Sequence, residues 1–285
     1  MEVDEESVLM LNRILDEADN GGFRFGQTGR GTDDARSLKR ARRTVEENAE
    51  LTGIWIERAS AKLLSSNRNS QIRLHTLSGS VHAAPLPPTT FELQLRVREP
   101  PVDPDERYRA GTDSGREYVI EQMSSRVKGG SGELQDAMQD LKPDDPPNPP
   151  AFFALLRQYS HLAAHRSHLF ANLTETFSEV VPDGPDSRQD GQTELTFTSQ
   201  RDRSPVLTFS YRIAPSFSTS PILRSAQPVE PLLSLALTSF PAGLPAKARH
   251  ALEAISAQFE RMLRDQFEAK AAVEAIVKAV FAGGE

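Results

Sequence analysis

Phe91-Glu92-Leu93-Gln94-Leu95-Arg96-Val97-Arg98 alternates apolar and polar residues without a fault. Successive side chains of a strand point to opposite faces, so the spacing predicts a strand with Phe91, Leu93, Leu95 and Val97 on a covered face and the polar residues on a wet one. One covered and one wet face is the habit of an antiparallel sheet, since parallel strands are buried on both sides. N-terminal to it, Leu51–Ile56 and Ile72–Leu77 read as further strands. C-terminal to it come a Pro- and Asp-rich loop from Pro100 to about Gly115, a weak strand near Tyr118–Ile120 and a short helix from Glu133 to Leu141.

Five prolines then fall within Lys142-Pro143-Asp144-Asp145-Pro146-Pro147-Asn148-Pro149-Pro150. Proline lacks the backbone donor and disfavours helix in the residue before it, so neither a helix nor a central strand is expected to cross this segment. A long helix is expected from Pro149 or Pro150, capped by Asn148, to about Leu173, with a buried stripe of Phe152, Leu155, Leu156, Tyr159, Leu162, Leu169, Phe170 and Leu173. Strands follow at Thr193–Thr198, Val206–Ile213 and Leu232–Leu237. From Pro245 a second helical stretch runs through Leu252, Ile255, Phe259, Met262 and Leu263 to Val273, Ile276, Val277, Val280 and Phe281, ending at Gly283-Gly284. Each half thus reads as helix, antiparallel meander, helix, which is the α+β class. The expected organisation is an N-terminal segment over 1–48 with short helices and a Gly-rich linker, a first domain over 49–145 and a second over 146–285.

The composition narrows the function. The chain has 285 residues, 33 Lys+Arg against 40 Asp+Glu for a net charge of −7, and no cysteine. Without Cys there is no disulfide framework, thiolate metal site or cysteine nucleophile. The apolar runs stop far short of the ~18 residues that a membrane span needs. The acidic start, Met1-Glu2-Val3-Asp4-Glu5-Glu6, does not read as a secretory or mitochondrial leader, so the sequon Asn172-Leu173-Thr174 reads as chance. Val8, Leu11, Ile14, Leu15 and Ala18 give a short amphipathic helix, Gly21–Gly31 a mobile linker, and Thr32 or Asp33 the cap of a helix to about Ala49.

Catalytic patterns are absent or incomplete. Gly26-Gln27-Thr28-Gly29-Arg30-Gly31-Thr32 partly matches a phosphate-binding loop but lacks its lysine and a preceding strand. His161, His165 and His168 lie four and three residues apart on one helical face, yet no carboxylate stands between them as in HExxH, and Arg166 would repel a cation. They read as a polar helix flank. No Gly-x-Ser-x-Gly elbow singles out a serine. No cofactor, metal or small-molecule substrate is expected. Arg36, Lys39, Arg40, Arg42 and Arg43 form a compact basic cluster that fits nuclear import or contact with an acidic partner, or else a solvated helix face paired with Glu46, Glu47 and Glu50. Overall acidity argues against direct DNA binding.

Several segments resemble the centromere protein P family of inner-kinetochore subunits. They are Leu51-Thr52-Gly53-Ile54, the alternation Phe91 to Val97, Phe152-Phe153-Ala154-Leu155-Leu156 with Tyr159, Arg166 and Phe170, Leu207-Thr208-Phe209-Ser210-Tyr211-Arg212-Ile213, and Phe259 followed by Ala271-Ala272-Val273 and Ile276-Val277. They span about residues 50–285 in the family's order. The closing helices lack the glycine break of that family near Asp265-Gln266, and the Pro100–Gly115 loop is longer, which keeps the sister centromere protein O open as an alternative.

The resemblance implies tandem RWD domains, a non-catalytic scaffold at the centromere in the nucleus, pairing with a centromere protein O-like subunit, and assembly with centromere protein Q- and U-like subunits in chromosome segregation. RWD domains share the fold of ubiquitin-conjugating enzymes, but a chain without Cys forms no thioester. An RWD-type scaffold in another nuclear complex, such as a ubiquitin-ligase assembly, and a metal-dependent hydrolase built on the three histidines are the alternatives. Finally, Leu252–Phe281 carries more apolar positions than one narrow stripe needs. Phe259, Met262, Phe267, Ile276 and Phe281 are expected to pack on their own sheet, and the surplus apolar surface to meet a partner chain.

Overall fold

The computed structural model describes residues 49, 52–67, 70–99, 119–129, 132–140, 149–181, 192–198, 205–216, 228–239 and 246–281. The expected N-terminal helices, the Gly-rich linker, the loop over 100–115 and the proline segment up to Asn148 lie outside them. The described residues form an α+β chain with two antiparallel sheets and several helices. It divides into two compact units, Met1–Ala83 with Pro87–Ser160 and Phe217–Pro228, and Ala84–Leu86 with His161–Ser216 and Val229–Glu285.

The first unit holds a four-stranded meander of β1 (Ile54–Ser66), β2 (Gln71–Val81), β3 (Thr89–Glu99) and β4 (Val119–Lys128), followed by α1 (Gly132–Asp140) and the start of α2 (Pro149–Thr176). The alternation of β3 is carried through: Phe91, Leu93, Leu95 and Val97 are all buried. Register sets Phe91 between Gly79 and Val127, Leu93 between Leu77 and Ser125, and Leu95 between His75 and Met123. Phe152 and Phe153 from α2 meet the Phe91 ring edge-on, at 6.1 and 5.6 Å between centroids, a geometry that aromatic quadrupoles favour. Gly79 is required by close approach, since a Cβ there would stand 1.9 Å from the Trp55 carbonyl oxygen. The register shift between Ile56 and Arg58 lies beside it.

The edge strands are longer than expected. The weak strand near Tyr118–Ile120 is only the start of β4, which runs on through Glu121-Gln122-Met123-Ser124-Ser125-Arg126. β1 extends ten residues past Ile56 to Ser66. Edge strands bury little on either face, so their sequences carry no clean period, and pairing with the central strand decides their length.

In the second unit the remainder of α2 covers the meander β5 (Glu194–Thr198), β6 (Val206–Pro215) and β7 (Val229–Ser239). Phe209 at its centre meets Phe170 of α2 at 5.8 Å and Phe259 at 6.0 Å, both edge-on. All three rings are buried. The helical stretch expected after Pro245 is divided into three helices, α3 (Ala246–Glu253), α4 (Ile255–Arg264) and α5 (Ala269–Phe281). α4 packs on β7 and α5 on α4.

The break between α4 and α5 is a helix stop without glycine. Gln266 takes φ 65°, Phe267 N–H donates to Met262 O at 3.1 Å, and Gln266 N–H donates to Leu263 O at 3.2 Å. That pair of bonds is the Schellman arrangement, with glutamine in the left-handed position that glycine usually takes. The turn carries Phe267 outward to 52% exposure, so of the residues expected on the sheet Phe267 does not pack there. Ile255, Phe259, Ala272, Val273, Ile276 and Val277 are buried, while Met262 and Phe281 are half-buried.

Candidate functional site

The most unusual chemistry among the described residues sits on the covered face of the first sheet. β3 continues its inward alternation past Val97 to Glu99, and β2 presents Arg73 and His75 on the same face. His75 and Glu99 are 2% and 4% exposed. The His75 Nε2 lies 2.8 Å from Glu99 Oε1, and because a carboxylate only accepts, the imidazole donates. Arg73 Nε stands 3.3 Å from Glu99 Oε2 as an ion pair, and Arg73 Nη2 donates to Gln71 Oε1 at 3.3 Å. Burying a carboxylate is costly unless it is paired and hydrogen-bonded, and here Arg73 pairs with it and His75 hydrogen-bonds it. His75 Nδ1 is buried and has no hydrogen-bond partner among the described residues. The group resembles a base held by an acid, but among the described residues it forms no hydrogen bond to a serine or threonine hydroxyl. Its chemistry is that of a polar clamp joining β2 to the end of β3.

A second polar cluster holds α2 to β6. Arg166 is 3% exposed, donates through Nη1 to the Tyr211 carbonyl at 3.0 Å, and has its guanidinium 6.0 Å from the Tyr211 ring centroid. His165 Nδ1 lies 3.3 Å from the Tyr211 hydroxyl. Arg166 therefore faces inward, between exposed His165 and the half-buried Ser167. His161 and His168 are exposed on the same helix, and among the described residues no group of three or more His, Asp or Glu is placed to hold a metal.

The third feature is apolar surface at sheet edges. Leu63 and Leu64 are 52% and 47% exposed at the end of β1, an outer strand of its sheet, and Leu232 is exposed on β7, an outer strand of the other. An outer strand offers unpaired N–H and C=O groups, so exposed leucines beside it give a second chain both hydrogen bonds and apolar contact.

The basic cluster Arg36, Lys39, Arg40, Arg42 and Arg43 lies outside the described residues. Among the described helices none is long and apolar enough to cross a membrane. The Arg73–Glu99–His75 group was not singled out from sequence, although one signal was there: extending the β3 alternation by one step puts a glutamate on the apolar face. The sequence matches no protein-family model and no curated protein.

Proposed function

We propose that this chain is a non-catalytic scaffold of two RWD-like domains that acts at the inner kinetochore in complex with a homologous RWD subunit. The observation that carries the reading is the order of elements: an antiparallel meander followed by helices, twice, with α2 closing one unit and opening the next. The segments that resemble the centromere protein P family fall on the main elements of that order. Phe91 to Val97 is β3, Leu207 to Ile213 is β6, and Phe152, Leu155, Leu156, Tyr159, Arg166 and Phe170 form the buried side of α2. Exposed leucines on β1 and β7, with Phe267 after α4, supply apolar surface for partners. The partner in this reading is a centromere protein O-like chain, joined by Q- and U-like subunits.

The test is recovery of the tagged full chain from nuclear extract, with identification of what co-purifies and light scattering of the purified pair. A stable one-to-one complex with an RWD subunit, together with other centromere proteins, is expected. Ubiquitin-ligase subunits in their place would move the scaffold to that pathway. A monomer that neither binds an RWD partner nor is stabilised by it at micromolar concentration would refute the scaffold itself.

A further inference from the structure

The outer face of the first sheet, opposite the core, is laid out by strand register, because cross-strand partners share a face. One row across the four strands is Arg58, Ser78, Glu92 and Arg126. The next is Ser60, Thr76, Gln94 and Ser124, every one a hydrogen-bonding side chain. The third is Lys62, Leu74, Arg96 and Gln122. Arg98 and Lys128 lie in the flanking rows, and all six cations of this face are exposed.

Little negative charge answers them. Glu121 pairs with Arg96 at 3.1 Å and with Arg98, Glu92 accepts from the Gln94 amide at 2.9 Å, and Glu57 accepts from Ser80 Oγ at 3.1 Å. Among the described residues Arg58, Lys62, Arg126 and Lys128 form no ion pair. A chain of net charge −7 thus gathers, among the described residues, six cations against the three carboxylates of Glu57, Glu92 and Glu121 on one sheet face. The fold does not need it: these side chains point away from the core, and polar residues without charge would keep the face wet equally well.

We infer that this face binds an acidic, partly apolar polypeptide segment of a partner chain. Cations on both outer strands, ~14 Å apart across the sheet, grip the carboxylates, and the Ser/Thr/Gln row between them offers hydrogen bonds. Half-buried Ile72 and Leu74, with exposed Val119, give apolar side chains a floor. Nucleic acid fits less well, because single strands are held on sheets by stacking and among the described residues this face has one aromatic, Trp55, at its corner and already edge-on to His82 at 6.1 Å. The inference goes beyond the pairing proposed above, which uses the strand edges and exposed leucines.

The probe is a synthetic Glu/Leu peptide of about 15 residues, long enough to span the face, titrated into the full chain by calorimetry. Micromolar binding is expected. It should weaken about tenfold or more in Lys62→Glu/Arg126→Glu and in Arg58→Glu/Lys128→Glu, all exposed positions whose fold is checked by circular dichroism. It should also fall as salt rises from about 0.1 to about 1 M, where the Debye length shrinks from about 10 to about 3 Å. A matched Gln/Leu peptide should not bind. No binding of the Glu/Leu peptide, equal binding by both variants, or tighter binding of an oligothymidylate of similar length would overturn the inference, the last by making this a nucleic-acid face.

Discussion

Replacing Glu99 by Gln isolates the buried charge that joins β2 to β3. Glutamine keeps the size and can still accept from His75 Nε2, so the change removes charge rather than volume. A hydrogen bond to a charged group contributes about 1.5–3 kcal/mol, and breaking a fully buried pair costs about 3–5 kcal/mol. Arg73 is 20% exposed, so water takes up part of its orphaned charge and the lower range applies. A loss of about 2–3 kcal/mol follows, or about 5–10 °C in the melting of a unit of this size. The molecule carries its own reporter, since its one tryptophan, Trp55, stands on β1 of the same sheet. In urea, Trp55 emission should show the midpoint falling by about 1–1.5 M with an unchanged slope of about 2 kcal/mol/M. Arg73→Met alone should cost a similar amount, and the double variant less than the sum, because the second change no longer leaves an unpaired charge. A Glu99→Gln midpoint within about 0.5 kcal/mol of the parent, or strict additivity in the cycle, would refute the clamp.

Three further outcomes follow from packing and backbone geometry. Gly79→Ala places a Cβ 1.9 Å from the Trp55 carbonyl oxygen and 3.0 Å from Phe91 Cζ, so β1 must leave its partner. A loss of about 3 kcal/mol or more in the Trp55 transition is expected, and a wild-type midpoint would show that β1 pairs differently. Gln266→Gly relieves a left-handed φ of 65°. Non-glycine residues pay about 1–2 kcal/mol there, partly offset by the greater freedom of unfolded glycine, so calorimetry should read a gain of about 0.5–1 kcal/mol. A destabilised variant would mean that the Gln266 side chain holds the turn. Phe259→Ala removes a ring of 0% exposure between Phe209 and the helices, and far-UV dichroism should report a loss of about 3–5 kcal/mol. A loss under about 1 kcal/mol would place Phe259 outside the core.

Wherever a strand or helix has one dry and one wet side, the chain alone determined the element. The β3 alternation, the α2 stripe and the run from Val206 to Ile213 were all legible, because a 2- or 3.6-residue period of apolar residues is the imprint of one-sided burial. The antiparallel class followed, since parallel strands would have shown continuous apolar runs. Zero cysteine removed thiol chemistry whatever the fold.

Tertiary structure decided what has no period. β1 and β4 are outer strands with mixed polar sequence, and pairing drew them out to Ser66 and Lys128. The stop at Asp265–Glu268 carries no glycine, so the helical pattern reads straight through it; the packing of α5 back on α4 imposes the turn and leaves Phe267 outside. Alternation alone would turn Ile72 and Leu74 inward. Register with β3 turns Arg73, His75 and Leu77 inward instead, since slipping by one residue exchanges the faces of a whole strand. The buried Arg73–Glu99–His75 group comes from that choice of register, which depends on contacts between residues some 24 positions apart in the chain and is invisible within either strand.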